Sequence, residues 1–270
     1  MRLDEARGFV FDVDGTLVQR AGAAVRPLPG AIEALEAIRS SGRPYTLFTN
    51  GSHIPPAAIA EELRGAGLPV EDEQLLTPLC SVQTYLGRRR AGTAVLPFLT
   101  DRARSYLESA GVCMVDEGDP EQIGAVFVAQ PGELDFDRLE RAARAVLAGA
   151  PLLTGSYVAA YAGADGPIFS RGAMVTAAIA KASGRRPTVV GKPSQAAVRL
   201  MRDRLGVPTE ELAVIGDDVF LDVALGHLGG SYTVLVRTGI SATTDLGRIA
   251  ERRRPHATVE SVAGLLDVLT

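Results

Sequence analysis

Short, near-continuous apolar runs recur along the chain, and stretches with apolar residues at helical spacing separate them. The first run, Phe9-Val10-Phe11-Asp12-Val13-Asp14-Gly15-Thr16-Leu17-Val18, reads as a strand closing in two carboxylates and a glycine turn. Gln19 to Val25 reads as a loop, and Pro29-Gly30 leads into a helix carrying Ile32, Leu35 and Ile38 that stops at Gly42. A second run, Pro44 to Phe48, ends in Thr49-Asn50-Gly51-Ser52. A helix from Pro56 to Arg64, a short strand at Leu75-Leu76-Thr77 and a helix through Leu86 follow.

From Gly92 to Arg186 the alternation continues, but the strands there end without a comparable set of acids. Ala125 to Val128 and Leu152 to Thr154 read as strands. Asp137 and Glu140 stand where they can cap a helix carrying Leu139, Ala143, Val146 and Leu147. A Gly- and Tyr-rich loop, Gly155 to Gly166, precedes a small-residue helix from Ala173 to Ser183. The acid-tipped pattern then returns. Thr188-Val189-Val190-Gly191 reads as a strand delivering Lys192, a helix with Val198, Met201 and Leu205 ends at Gly206, and Leu212 to Gly216 delivers Asp217 and Asp218, with Asp222 beyond. Tyr232 to Val236 is the last strand expected. Such runs predict an α/β protein with a doubly wound, Rossmann-like parallel core sheet covered on both faces. The core is expected in residues 1–91 and 187–270, with 92–186 inserted as a second α/β domain.

Composition narrows the class. Of 270 residues 46% are hydrophobic and 22% charged, and no run approaches the ~20 apolar residues of a membrane span, so no membrane partner is expected. The acidic start runs directly into the first strand, which predicts a cytoplasmic protein without a signal peptide. Cys80 and Cys113 are too few for a disulfide framework, and His53, His227 and His256 are scattered. The net charge of −4 argues against nucleic acid, and Arg88-Arg90 and Arg252-Arg254 read as solvated helix faces.

Ligands of parallel sheets bind outside the carboxyl ends of the strands. Here those ends carry Asp12 and Asp14, then Thr49 and Asn50, then Lys192, then Asp217, Asp218 and Asp222. Asp12 and Asp14, two apart on a strand, share a face and repel by on the order of a few kcal/mol at an effective dielectric of ~20. A cation offsets that repulsion. No Ser or His stands in a nucleophile-elbow context, whereas acids, one lysine and a small hydroxyl suit phosphoryl transfer with Mg²⁺. Asp12, Asp217 and a backbone carbonyl can supply metal ligands, Asp14 is a further candidate ligand, and Asp218 and Asp222 stand behind them. Lys192 and Thr49 are placed to hold phosphoryl oxygens, and Thr16, Asn50 and Gly51 are further candidate substrate contacts. Each residue has a plainer reading: Thr49 as a strand end, Lys192 as a solvated lysine, Asp217-Asp218 as a turn or cap. The whole set, recurring in order at successive strand ends, favours one site.

These residues resemble the motifs of the haloacid dehalogenase superfamily of phosphatases: Asp12-Val13-Asp14-Gly15-Thr16, Thr49-Asn50, Lys192-Pro193 and Gly216-Asp217 through Asp222. The insert resembles the C2-type cap, and Thr233 to Gly239 is similar to the tail of the NagD-like members (subfamily IIA). The resemblance implies that Asp12 is a nucleophile forming an aspartyl-phosphate, and that Asp14 protonates the leaving group and then activates water. It implies a Mg²⁺-dependent phosphomonoester hydrolase acting on a small phosphorylated metabolite: a sugar phosphate, nucleotide, phosphoglycolate or aryl phosphate. A phosphotransferase and a non-catalytic phosphometabolite-binding protein are the alternatives. Capped relatives are often dimers, so a homodimer through the cap is an expected partner. Within the cap, Tyr161 of the loop from Gly155 and Arg171 of the turn Ser170-Arg171-Gly172 are the expected substrate selectors. The chain departs from the family at Gly51, at His53-Ile54-Pro55-Pro56 and at Gly155-Ser156, positions that bear on substrate more than on chemistry.

Overall fold

The first apolar run is buried along Gly8–Phe11 and becomes an interior strand of a parallel sheet. A computed structural model describes residues 2–22, 24–88, 92–163 and 166–269, apart from the side chains of 161–167 and 269. In chain order the strands are β1 (Gly8–Phe11), β2 (Val18–Ala21), β3 (Ala24–Pro27), β4 (Tyr45–Phe48), β5 (Leu75–Leu76), β6 (Val95–Phe98), β7 (Ala125–Val128), β8 (Leu152–Thr154), β9 (Ala160–Gly163), β10 (Gly166–Phe169), β11 (Thr188–Val189), β12 (Leu212–Gly216), β13 (Tyr232–Val236) and β14 (Ala257–Val259). The helices include α1 (Ala31–Ser40), α2 (Pro56–Gly65), α3 (Pro78–Gly87), α4 (Asp101–Ser109), α5 (Phe136–Leu147), α6 (Arg171–Ser183), α7 (Gln195–Leu205) and α8 (Ala224–Gly229). No helix of the described residues is long and apolar enough to cross a membrane.

The chain forms two compact units, one of Met1–Thr49, Pro56–Leu76 and Lys192–Thr270, the other of Asn50–Pro55 and Thr77–Gly191. The first holds a six-stranded parallel sheet in the order β14-β13-β12-β1-β4-β5. Strand order reverses between β1 and β12, the switch point at which such sheets bind ligands. Helices with one apolar face cover the sheet: α1 buries Ala31, Ala34, Leu35 and Ile38, and α7 buries Ala197, Val198, Leu200 and Met201. The second unit has a parallel sheet in the order β11-β8-β7-β6, whose core packs Leu96, Phe98, Val126 and Val128 against Ala142, Val146 and Ile179 of α5 and α6.

Several local expectations are corrected. The expected loop 19–25 is instead the antiparallel hairpin β2–β3. Its first strand buries only Val18, so it carries no alternating apolar signal. The expected loop 155–166 contains β9, paired with β10, where glycines bound the strands of a hairpin. The strand before Lys192 does not join the core sheet: β11 pairs with β8, Thr188 opposite Leu153. Hydrophobic period identifies a strand but not the sheet it joins. The cap of α5 is Asp135, whose carboxylate accepts from the Asp137 and Arg138 N–H groups, because a capping residue must precede the helix in extended conformation. Beyond β13, a further strand, β14, edges the core sheet. Arg88 follows α3 and Arg89 and Arg90 lie outside the described residues, while Arg252 to Arg254 are exposed.

Candidate active site

The register pairs Phe11 with Ile215, so the residues leaving β1 and β12 emerge side by side. Asp12 N–H still donates to Ile215 O at 2.8 Å, after which the chain turns at Gly15, φ +86°. A lysine and two acids meet there. Lys192 Nζ donates to Asp12 Oδ1 at 2.5 Å and to Asp222 Oδ1 at 2.7 Å, and Lys192 is 2% exposed. The Thr16 hydroxyl, fully buried, donates to Asp12 Oδ2 at 3.2 Å.

Asp217 follows β12 and is held by the backbone. Its Oδ2 accepts from Ile240 N–H at 2.6 Å, and Ser241 N–H donates to its carbonyl at 3.1 Å. Two glycines make room for these acids. A Cβ on Gly239 would lie 1.8 Å from Asp217 Oδ2, and one on Gly216 would lie 2.2 Å from Asp222 Cγ. Asp218 points away and caps the next helical turn, accepting from Phe220 and Leu221 N–H.

Electrostatics follow from burial. Asp12 and Asp217 are each pushed up to about 7, first because burial disfavours their charge and then by neighbouring carboxylates; Lys192 partly offsets this. Asp222 is pushed up to about 6 for the same leading reason. Burial alone would lower the Lys192 ammonium, but Asp12 and Asp222 overcome it and raise it.

Oxygens of Asp12, Asp217 and Asp222 lie within 4.8 Å of one another, an arrangement able to hold a metal ion. Three acids with one lysine leave negative charge that burial penalises, and an all-oxygen carboxylate set suits a hard divalent cation. The hydrogen bonds refine the ligand set. Asp222 accepts from Lys192 on Oδ1 and from Asp218 N–H on Oδ2, and Asp12 accepts from Lys192 on Oδ1 and from Thr16 on Oδ2, whereas Asp217 accepts from Ile240 N–H on Oδ2 and keeps Oδ1 to offer.

The carboxylate of Asp14, expected as a third ligand, is outside this cluster of carboxylates. It is turned toward solvent, where Oδ1 accepts from Arg20 Nε at 2.7 Å, while Oδ2 accepts from the Thr49 hydroxyl at 3.5 Å. The strand ends at Phe11, so the alternation that would align Asp12 with Asp14 stops before either residue. Thr49 is buried beside the site, whereas Asn50 and Gly51 group with the second unit. Arg171 opens α6 with its side chain exposed, and Tyr161 lies in β9 with its side chain outside the described residues. Sequence reasoning missed Arg20 and the Ile240 N–H. The small residues of Thr238-Gly239 are the only trace of the latter, and Arg20 sits in a segment read as loop.

Residues 9–113 match the family described as haloacid dehalogenase-like hydrolase, and residues 189–265 match the one described as HAD-hydrolase-like. The switch-point acids, lysine and threonine on a doubly wound sheet are of this class. The chain belongs to the haloacid dehalogenase-like hydrolases, in the NagD/p-nitrophenyl phosphatase family, subfamily IIA. It is 29% identical over 242 residues to the ribonucleotide monophosphatase NagD of Escherichia coli K12, covering 89% of this chain and 91% of that one. It is 26% identical over 260 residues to the dihydroxyacetone phosphatase of Corynebacterium glutamicum, covering 96% and 90%. Among solved structures it is similar to the 4-nitrophenylphosphatase of Thermotoga maritima, with a TM-score of 0.87, 26% identity and 99% of each chain covered.

Proposed function

We propose that this chain is a phosphatase that hydrolyses phosphate monoesters of small metabolites in two phosphoryl transfers through Asp12, with Mg²⁺ as the resident cation. The observation that supports it most is the buried Asp12-Lys192-Asp222 chain beside Asp217. Asp12 and Asp217 would hold the ion, which would neutralise phosphoryl charge. Thr16 and Lys192 orient the Asp12 carboxylate for attack on phosphorus. Lys192 and the Thr49 hydroxyl bind phosphoryl oxygens. Asp14 gives a proton to the leaving-group oxygen and then takes one from the attacking water. Asp222 anchors Lys192, and Asp218 shapes the turn that carries Asp222.

The relatives' names span nucleotide, triose and aryl phosphatases, which supports a small phosphate ester without choosing one. We assign selection among them to the inserted unit, through Arg171 and Tyr161. Exposed Phe136, Leu147 and Met174 on that unit support a homodimer formed through it, which sedimentation of a Phe136→Asp variant as monomer checks. The function is tested by release of phosphate from sugar phosphates, nucleotides, phosphoglycolate and 4-nitrophenyl phosphate with and without Mg²⁺. Binding of these esters without hydrolysis would refute it.

A further inference from the structure

The β2–β3 hairpin brings a cation back over the first motif. Gly15 N–H donates to Val18 O at 2.8 Å, and Leu17 and Val18 N–H both donate to Val13 O, so the chain reverses and Arg20 reaches the Asp14 carboxylate. The guanidinium is held at two places. Nε donates to Asp14 Oδ1 at 2.7 Å, and Nη1 donates to Glu62 Oε2, on α2, at 2.8 Å. The side chains of Arg20, Glu62 and Asp14 keep 34%, 43% and 48% of their exposure, and ion pairs this open add little to stability. Fold maintenance is therefore a weak account of the contact.

Its geometry gives a stronger one. A guanidinium donates permanently and cannot accept, so the oxygen facing it must present lone pairs. Oδ1 of Asp14 is thereby reserved as an acceptor. Oδ2 lies 3.5 Å from the Thr49 hydroxyl, which can accept as well as donate, so this is the oxygen able to carry a proton.

We infer that Arg20, anchored by Glu62, is a positioning residue that orients the Asp14 carboxylate and reserves Oδ2 for proton exchange; this rests on the acid and base role proposed for Asp14. In the first transfer the proton passes from Oδ2 to the leaving-group oxygen as that oxygen's bond to phosphorus breaks and the bond from Asp12 forms. In the second, a water proton returns to Oδ2 as the water oxygen bonds phosphorus and Asp12 departs. Correct aim of one oxygen matters most where the leaving group needs its proton.

The test measures single-turnover rates of the first transfer for wild type, Arg20→Ala, Arg20→Lys, Glu62→Gln and Asp14→Asn over phosphate esters running from aryl to alkyl leaving groups. The loss in Arg20→Ala deepens from aryl to alkyl ester by about tenfold or more, a share of the ~10²–10⁴ that general acid catalysis supplies. Arg20→Lys recovers part of it, having the charge without the fork that reaches both carboxylates. Glu62→Gln shows a smaller loss in the same direction. A loss in Arg20→Ala that is equal for all esters, or no loss, overturns the inference when Asp14→Asn does steepen with leaving group. If Asp14→Asn itself loses all esters equally, the acid and base reading of Asp14 fails and takes this inference with it.

Discussion

Asp222 receives the Lys192 ammonium on Oδ1 at 2.7 Å while its Oδ2 takes the Asp218 N–H at 3.1 Å. Both oxygens are occupied before any ligand enters, which supports the proposal that Asp222 serves the lysine and Asp217 the cation. Mg²⁺ titrations of the rate separate the two. Asp217→Asn is expected to raise the half-activating concentration by about tenfold or more, whereas Asp222→Asn lowers the maximal rate with a smaller shift in that concentration. Equal shifts in the two variants would place Asp222 on the metal.

The buried acids make stability depend on pH. Asp12 and Asp217 rise to about 7 and Asp222 to about 6, above the ordinary 3.8. The native state keeps protons that the unfolded chain releases, so this contribution to stability is complete below 3.8 and lost as pH climbs through 6 to 7. The metal-free protein should melt at a lower temperature at pH 8 than at pH 5. Added Mg²⁺ should raise the midpoint more at pH 8, where the carboxylates are charged. An equal rise at both would remove these acids from the cation site.

Gly239 is a second lever on the same carboxylate. Its absent side chain leaves room for Asp217, since a Cβ there would lie 1.8 Å from Oδ2. Gly239→Ala should therefore displace Asp217 and weaken Mg²⁺ activation by about tenfold or more while the core sheet survives. Circular dichroism and a Mg²⁺ titration check both parts.

Arg171 is exposed on the inserted unit, at the start of α6. Arg171→Ala and Tyr161→Phe should reorder the kcat/KM ranking of phosphate esters and leave the Mg²⁺ requirement intact. An unchanged ranking across a broad panel would take selection away from this part of the chain.

The core strands could be read from sequence because a parallel sheet buries both faces, and Phe9-Val10-Phe11 and Ala213-Val214-Ile215 are apolar throughout. The acids, threonine and lysine could be read because strand ends are where polar groups can converge. Orientation could not. The spacing pairs Asp14 with Asp12 on a strand periodicity that stops at Phe11, whereas the Asp14 carboxylate meets Arg20, on a hairpin whose exposed face carries no pattern. The sheet membership of β11 was likewise hidden, since two residues, exposed and half-buried, hold no topological signal. The brace from Ile240 is a backbone N–H, which any residue type but proline supplies.

The proposed hydrolysis turns on passage of the phosphoryl group through Asp12. It is tested most directly by quenching the enzyme in acid during turnover of 4-nitrophenyl phosphate with Mg²⁺ and mapping the peptide that carries the phosphoryl group by mass spectrometry. One acid-stable, alkali-labile acyl phosphate is expected on Asp12, absent from Asp12→Asn, which should be folded and without turnover. Wild-type turnover by Asp12→Asn, or a phosphoryl group trapped on another residue, would contradict it.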